Sequence, residues 1–396
     1  MKKRNVAVLG VGQTKFGSHP DKSLADLFAD AFKEAFEKSN IEKKDIEALY
    51  YGNFNGELTD GSANMGGFLT DEVGLGMIPA YRYEAACASS QVAFREATRA
   101  VAAGYHDIVV VGGSERLHSA GTALGTRALA TSVEGIHEIT TGLGFPGVFG
   151  LVARLYAKEY NISIENLREK MAHVSIKNHK FGARNPKAQF YQKMGDLDVE
   201  TVLSGRMISS PLSLYDCCPM TDGGSAAIVT TDKIAEDLIN KPVYVLGTGQ
   251  ASGGALFRQG ANLIKFEPRR KSSQMAYKEA GIKPDDVDVV EIHDCFTIAE
   301  IIATEALGLF DYGKGADAAE QGETDLGGKV VVNPDGGLIG KGHPVGATGT
   351  SQIYALTRIL RDEFKSTSVK GAEIGLTDTL GGDFGTLCNV LLGRGR

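Results

Sequence analysis

The chain has 396 residues, of which 42% are hydrophobic and 23% charged, with a formal net charge of -7. Such a length predicts two or three domains or one large duplicated unit, and the composition is that of a soluble globular protein. The acidic balance argues against nucleic acid as the main partner, and no apolar run reaches the roughly 18 residues of a membrane span.

Cysteine usage points the same way. Five cysteines are present, an odd number with no CxxC pair, which argues against a disulfide framework and a structural zinc site. Free thiols fit a reducing cytoplasm. The C-terminal Gly393-Arg394-Gly395-Arg396 does not read as a peroxisomal address, so a cytoplasmic protein is expected.

In chain order, the apolar, glycine-bounded run 6–10 predicts a buried strand. Residues 23–39 predict an amphipathic helix through Leu24, Leu27, Phe28, Ala31, Phe32 and Phe36. A charged turn to Asp45 then leads into a strand at 46–51. A helix opens at Ser90 and ends near Gly104, and a buried strand follows at 108–113.

Residues 118–240 form a long excursion, with a glycine-rich stretch at 142–147, a helix over 152–160 and a basic stretch over 177–194. Such an insertion often carries binding work, although a solvated charged face explains any one of its lysines equally well.

The opening pattern then recurs. Val8-Leu9-Gly10-Val11-Gly12-Gln13 returns as Val245-Leu246-Gly247-Thr248-Gly249-Gln250. A shorter helix at 273–280, a turn to Asp286 and a strand at 287–292 follow. Another helix opens at Ser351 and ends near Phe364, before a strand at 373–376. Strands alternating with helices predict an α/β protein with mostly parallel sheets covered by helices, and two related halves predict two such layers packed together. The expected division is 1–117 with a closing strand near 220–235, an inserted loop domain within 118–240, and 241–396.

Three places carry candidate chemistry. Cys87, in Glu84-Ala85-Ala86-Cys87-Ala88-Ser89-Ser90, sits just before an apolar helix whose free amides would favour a thiolate. Taken alone it reads more readily as a buried inert cysteine, the commoner fate of a lone cysteine. His343 lies in a glycine-rich stretch, 333–349, whose backbone can approach a ligand closely. It precedes the second such helix as Cys87 precedes the first. His293 and Cys295 follow the strand ending at Ile292, and residues two apart on an extended segment share a side. Their spacing lacks the second close pair that a metal site needs, so no metal is expected.

Together these motifs resemble the thiolase superfamily over essentially the whole chain: Cys87 in its CASS nucleophile motif, Gly342-His343-Pro344 in its GHP motif, and the glycine-alanine segment 222–227 before the second half. The resemblance implies the thiolase fold, two duplicated α/β halves in an α-β-α-β-α core with an inserted loop domain. Two departures are informative. Many thiolases carry an NEAF-like motif where this chain has His293-Asp294-Cys295-Phe296, and a second catalytic cysteine where it has Thr379-Leu380-Gly381. HDCF resembles the sterol-carrier-protein-type and related archaeal thiolases, in which its cysteine is the acid/base; Cys295 would then replace the cysteine missing at Thr379. Cys217, Cys218 and Cys388 read as structural.

The resemblance implies acyl transfer from coenzyme A thioesters with no permanently bound cofactor. Cys87 would be the nucleophile and His343 its base, with Cys295 as the base toward a second acetyl-CoA. His293 and His343 would steady the enolate, and the amides of Cys87 and Gly381 would form an oxyanion hole. CoA would lie across the loop domain, with Ser252 near the pantetheine. Archaeal relatives imply acetoacetyl-CoA formation for isoprenoid synthesis, a dimer or tetramer, and 3-hydroxy-3-methylglutaryl-CoA synthase with a small bridging protein as partners. Four alternatives stay open: degradative 3-ketoacyl-CoA cleavage, a decarboxylating synthase, acyl transfer to a non-CoA carbon nucleophile, and a non-catalytic scaffold subunit.

Overall fold

The computed structural model of the chain describes residues 3–259 and 263–395. Five strands come from the first half: β1 (Val6–Gln13), β2 (Ala48–Gly52), β3 (Ala80–Tyr83), β4 (Ile108–Arg116) and, past a separate hairpin of β5 (Met207–Ser209) and β6 (Leu212–Ser213), β7 (Asp222–Thr231). The second half supplies β8 (Val243–Ser252), β9 (Val289–Glu291), β10 (Val331–Val332), β11 (Ile374–Gly381) and β12 (Thr386–Gly393).

Across the sheet the order is β3-β2-β4-β7-β1 followed by β8-β12-β11-β9-β10. The second half therefore repeats the first, reflected about the β1–β8 seam. The pairing directions repeat as well. β2 runs parallel to β3 and β4, as β9 does to β10 and β11; β4–β7 and β7–β1 are antiparallel, as are β11–β12 and β12–β8. The duplication legible at 8–13 and 245–250 is thus a duplication of the whole half.

The layers were expected to be two sheets, but their hydrogen bonding is continuous. β1 and β8 pair at Val6–Val245, Ala7–Tyr244 and Val8–Val243. The layering follows from which side chains share a core. Val109 and Val111 of the first half, with Val289 and Val390 of the second, pack around Phe94, Val101, Ile353 and Leu356. Those four belong to the helices Ser89–Ala103 and Thr348–Leu360, which therefore lie between the half-sheets. The alternate residues Ile108 and Val110 face outward onto Phe28 and Phe32 of helix Leu24–Glu37. On the far side, Val290, Leu376 and Leu391 pack against Ala276 and Tyr277 of helix Glu267–Ala280 and Ala303 of helix Thr297–Ala306. The result is the α-β-α-β-α order, and burial on both faces explains why 108–111 is an unbroken apolar run.

Local chemistry sets the helix ends. Ser23 caps the first helix: its Oγ accepts from Asp26 N at 3.1 Å while the Asp26 carboxylate accepts from Ser23 N at 2.8 Å. The helix expected at 273–280 begins earlier, at Glu267. Pro268 is tolerated in its first turn, where an N–H would have no helical partner, and the charged residues 269–271 mask the apolar period. Helices Thr122–Ala130, Phe145–Glu159, Ile164–Arg184 and Val199–Ser204 occupy the excursion between β4 and β7. Among the described residues no helix is long and apolar enough to cross a membrane.

The two inner helices each begin from a single 3-10 turn, Ala86–Ala88 and Val345–Ala347. They touch at Gly349, where an added Cβ would lie 2.5 Å from the backbone nitrogen of Gln91. Across the same contact Thr350 N donates to Ser90 Oγ at 3.0 Å. Gly349→Ala is expected to force the helix starts apart, destabilising the fold by about 1–3 kcal/mol in urea unfolding. It should also lower catalytic activity more than a surface Gly→Ala change does. Unchanged stability would show that the contact relaxes freely.

Candidate active site

Cys87 occupies the turn before the first inner helix and is 8% exposed. Ala86, just before it, has φ +48, a left-handed conformation that a residue with a Cβ adopts at a cost. Local bonds hold it there. The Glu84 carboxylate accepts from Ala86 N at 2.7 Å, and Ser89 Oγ accepts from Ala85 N at 2.9 Å and donates to Ala86 O at 2.6 Å.

His343 is placed by the second glycine-rich turn. Its backbone N donates to Thr221 Oγ1 at 2.9 Å, and Gly342 beside it has φ +113. Thr348 Oγ1 donates to Pro344 O at 3.1 Å, so it accepts from His343 Nδ1 at 2.7 Å. This network assigns the proton to Nδ1 and leaves Nε2 as the basic nitrogen.

His293 completes a cluster. One ligating atom each of Cys87, His293 and His343 lies within 4.8 Å of the others, and the two rings meet edge to face at 5.0 Å between centroids. These donors could also hold a divalent cation; they come from three distant segments, so no sequence spacing signals such a set. Cys295 stands outside this 4.8 Å group but close enough to feel its charge. Its thiol is pushed well up by burial, with Cys218, Cys87 and Asp294 adding to the effect. Cys218, which sequence alone assigned to structure, therefore shares this pocket of thiols. Between His293 and Cys295 the chain turns Asp294 away from them. Its carboxylate accepts from Leu338 N at 2.6 Å, Ile339 N at 3.3 Å and Asn178 Nδ2 at 2.8 Å. One segment thus presents two candidate groups and clamps the turn leading to the third.

Burial governs the charge states. The Cys87 thiol is pushed up to about 12 by desolvation, against which the Gly382 N–H bonds its sulfur. Burial pulls His343 down to about 3, with Lys341 adding, and lowers His293 well below its usual value, with His343 and Arg269 adding. At rest the site is therefore a thiol facing two neutral imidazoles.

The amide that reaches the Cys87 sulfur belongs to Gly382, next to Gly381, whose expected role is toward the oxyanion. Gly381 ends β11 against the first inner turn, where a Cβ would come 3.2 Å from Ala88 Cβ. Thr379 is buried and bonded to Gln91 and Gln352, so the position of the absent cysteine is taken up in joining the inner helices. Ser252 is exposed at the end of β8, paired with Thr386 beside the 382–385 turn. Cys388 is fully buried against Ala88 and Val92.

The basic stretch is largely occupied. Lys177 meets Glu300 at 2.5 Å, Lys180 meets Asp325 at 3.5 Å and Lys187 meets Glu34 at 2.9 Å. A cavity of about 790 Å³ lined by Lys3, Arg95, Arg99 and Lys278 contains none of the candidate residues.

Sequence reasoning missed Glu115. It is fully buried at the end of β4, and its carboxylate accepts from Phe54 N at 2.8 Å, Gly346 N at 3.0 Å, Asn53 Nδ2 at 3.1 Å and Asn55 N at 3.3 Å. It thus ties the 53–55 loop to the turn after His343, and its charge also opposes ionisation of Cys87. Nothing in Gly112-Gly113-Ser114-Glu115 marks this role, since the donors come from elsewhere in the chain.

A buried cysteine beside two neutral histidines, at the start of paired helices in a duplicated α/β core, is the arrangement that accompanies a class: thiolase-type acyltransferases. The chain belongs to the thiolase family. Residues 6–233 match the thiolase N-terminal domain and residues 249–394 the thiolase C-terminal domain-like region. It is similar to the acetyl-CoA acetyltransferases of Methanothermobacter thermautotrophicus (39% identity, 99% of this chain and 100% of the relative) and Methanocaldococcus jannaschii (34%, 98% and 99%). It also resembles the benzoylsuccinyl-CoA thiolase subunit BbsB of Thauera aromatica (34%, 96% and 95%). A solved Ltp2-ChsH2(DUF35) aldolase shares the fold, with a TM-score of 0.81 at 24% identity over 99% of this chain and 98% of that one.

Burial raises the Glu115 carboxyl from 4.5 to about 7. Because the folded-state value lies above the unfolded one, its stability contribution is full below about pH 4.5 and is lost as pH rises through 7. Unfolding free energies of wild type minus Glu115→Gln should therefore fall by about 3 kcal/mol over that window. A difference that stays flat with pH would contradict the assignment.

Proposed function

We propose that this enzyme catalyses the reversible Claisen condensation of two acetyl-CoA molecules to acetoacetyl-CoA and CoA through an acetyl group carried on Cys87. The observation that carries this reading is the convergence of Cys87, His293 and His343 within 4.8 Å, with Cys295 beside them. The acetyl-CoA acetyltransferase names of two full-length relatives support the substrate.

In the first half-reaction the Cys87 sulfur attacks the thioester carbonyl as its proton passes to His343 Nε2. The proton then leaves with CoA, and the acetyl group stays on Cys87. Two buried neutral groups make this order necessary, since a resting thiolate–imidazolium pair is disfavoured by burial on both sides. Amides of the Cys87 turn and the 381–382 segment supply the oxyanion hole.

In the second half-reaction Cys295, as thiolate, takes a proton from carbon 2 of another acetyl-CoA. The enolate oxygen receives a hydrogen bond from His293; His343, its proton on Nδ1, presents an unprotonated Nε2 once CoA has left. The carbanion attacks the acetyl carbonyl, and the Cys87 sulfur leaves and regains a proton, ultimately the one taken by Cys295. Decarboxylation would generate the carbanion without a base, so Cys295 is what separates this reading from a decarboxylating synthase.

Condensation is uphill, and a partner that consumes acetoacetyl-CoA gives it direction. We place the enzyme before 3-hydroxy-3-methylglutaryl-CoA synthase in isoprenoid supply, as a cytoplasmic homo-oligomer with a small CoA-holding protein. Ser252, at the rim of the 382–385 turn, is assigned to the pantetheine. A second reading is a thiolase for a bulkier acyl group, favoured by the benzoylsuccinyl-CoA thiolase subunit, which matches this chain as closely as the second acetyltransferase does.

The test is acetoacetyl-CoA cleavage with added CoA. Cys87→Ala is expected to abolish turnover, and Cys295→Ala to lower it by roughly 10²–10⁴-fold. Loss in Cys87→Ala alone would remove Cys295 as the base. A wild type that cleaves only bulkier 3-oxoacyl thioesters would favour the second reading.

A further inference from the structure

Arg269 is the largest fully buried side chain among the described residues. It stands in the first turn of helix Glu267–Ala280, its guanidinium 4.9 Å from the centroid of the Phe266 ring. Its Nε lies 3.0 Å from Asp378 Oδ1, and both side chains are 0% exposed. Asp378, on β11, also accepts from Asn389 Nδ2 at 3.2 Å and from the backbone N–H of His293. A single carboxylate therefore separates the guanidinium from the His293-Asp294-Cys295 segment.

The guanidinium is incompletely hydrogen-bonded. Among the described residues Arg269 Nη1 and Nη2 have no hydrogen-bond acceptor. A buried ion pair rarely stabilises more than an apolar replacement would, and donors left unmet add a further cost. What the arrangement delivers is a guanidinium that meets Asp378 through Nε while Nη1 and Nη2 stay unbonded.

That charge acts on two groups. For Cys295, burial raises the thiol, Cys218, Cys87 and Asp294 raise it further, and Arg269 is the neighbour that favours the thiolate. For His293, burial disfavours the imidazolium, and His343 and Arg269 disfavour it further. A thiolate at Cys295 and a neutral imidazole at His293 are the two states that proton removal from carbon 2 requires. We propose that Arg269, seated on Asp378 behind the His293–Cys295 segment, is the positioning residue that makes Cys295 the working base of the carbanion half-reaction. The inference rests on the reading of Cys295 as that base. Arg269 touches no substrate; it acts through the charge it places behind the segment and through the Asp378 bond to the His293 amide.

The two half-reactions separate the possibilities. Exchange of labelled CoA into acetyl-CoA uses Cys87 and His343. Exchange of the carbon-2 hydrogens of acetyl-CoA for deuterium in D2O uses Cys295, which removes a proton and returns a deuteron. In Arg269→Met, deuterium exchange at neutral pH should fall at least about tenfold and recover as pH rises, its midpoint moving up by one unit or more. CoA exchange should stay within about twofold of wild type. Arg269→Lys, which keeps a charge, should recover most of the deuterium exchange. Should Arg269→Met not fold, Arg269→Gln carries the test: it can keep a hydrogen bond to Asp378, removes the charge, and should move the midpoint up in the same way. An unshifted deuterium profile, or an equal loss of both exchanges, would overturn the proposal. Deuterium exchange that survives in Cys295→Ala would remove the base assignment itself, and the role of Arg269 with it.

Discussion

The close approach of the two inner helices is the constraint on which the rest depends. Gly349 has no room for a side chain against Gln91, and Thr350 bonds Ser90 across the contact. Each helix starts from a tight turn, so this contact brings the Cys87 turn beside the turn after His343. The half-sheets then fold around the pair, joined at their seam by the short β1–β8 ladder. Duplication provides the symmetry of the frame, and the site is where the frame departs from symmetry: one half contributes Cys87, the other His293, Cys295 and His343.

Desolvation is the second constraint, and it gives the site its chemistry. Cys87, His293, Cys295 and His343 are all buried, and each is driven toward its neutral form. Neutral groups at rest suit a reaction whose charges appear only as bonds change, because preorganised amides and imidazoles then meet a developing charge with little competition from water. The surroundings add selective corrections. Thr348 fixes the tautomer of His343, the Gly382 amide reaches the Cys87 sulfur, and Arg269 favours the thiolate of Cys295. Asp294 and Glu115 spend their carboxylates on backbone amides, holding the turns on either side of His343.

Much of this was legible in the sequence because the signals were local. The recurrence of residues 8–13 at 245–250 revealed the duplication, and unbroken apolar runs marked strands covered on both faces. CASS, HDCF and GHP each marked a candidate side chain at an element boundary. What stayed hidden was non-local. The continuous hydrogen bonding at the β1–β8 seam has no sequence signature. Glu115 and Asp378 gain their roles from donors far away in the chain, and Arg269 lay outside the helix expected at 273–280 because Pro268 and the charged residues after it concealed the helix start. Cys218 offered no spacing that would place it with Cys87 and Cys295. The Gly382 amide that bonds the Cys87 sulfur has no motif of its own beside the expected Gly381.

The central claim is that acyl transfer passes through Cys87. The direct test is to mix the protein with acetyl-CoA, quench in acid and map the thioester by peptide mass spectrometry. The account predicts an acetyl group on Cys87, none on Cys295 or Cys218, and its release as acetyl-CoA when free CoA is added before the quench. A protein that turns over substrate with no acetyl on Cys87, or with the acetyl on another cysteine, would contradict it.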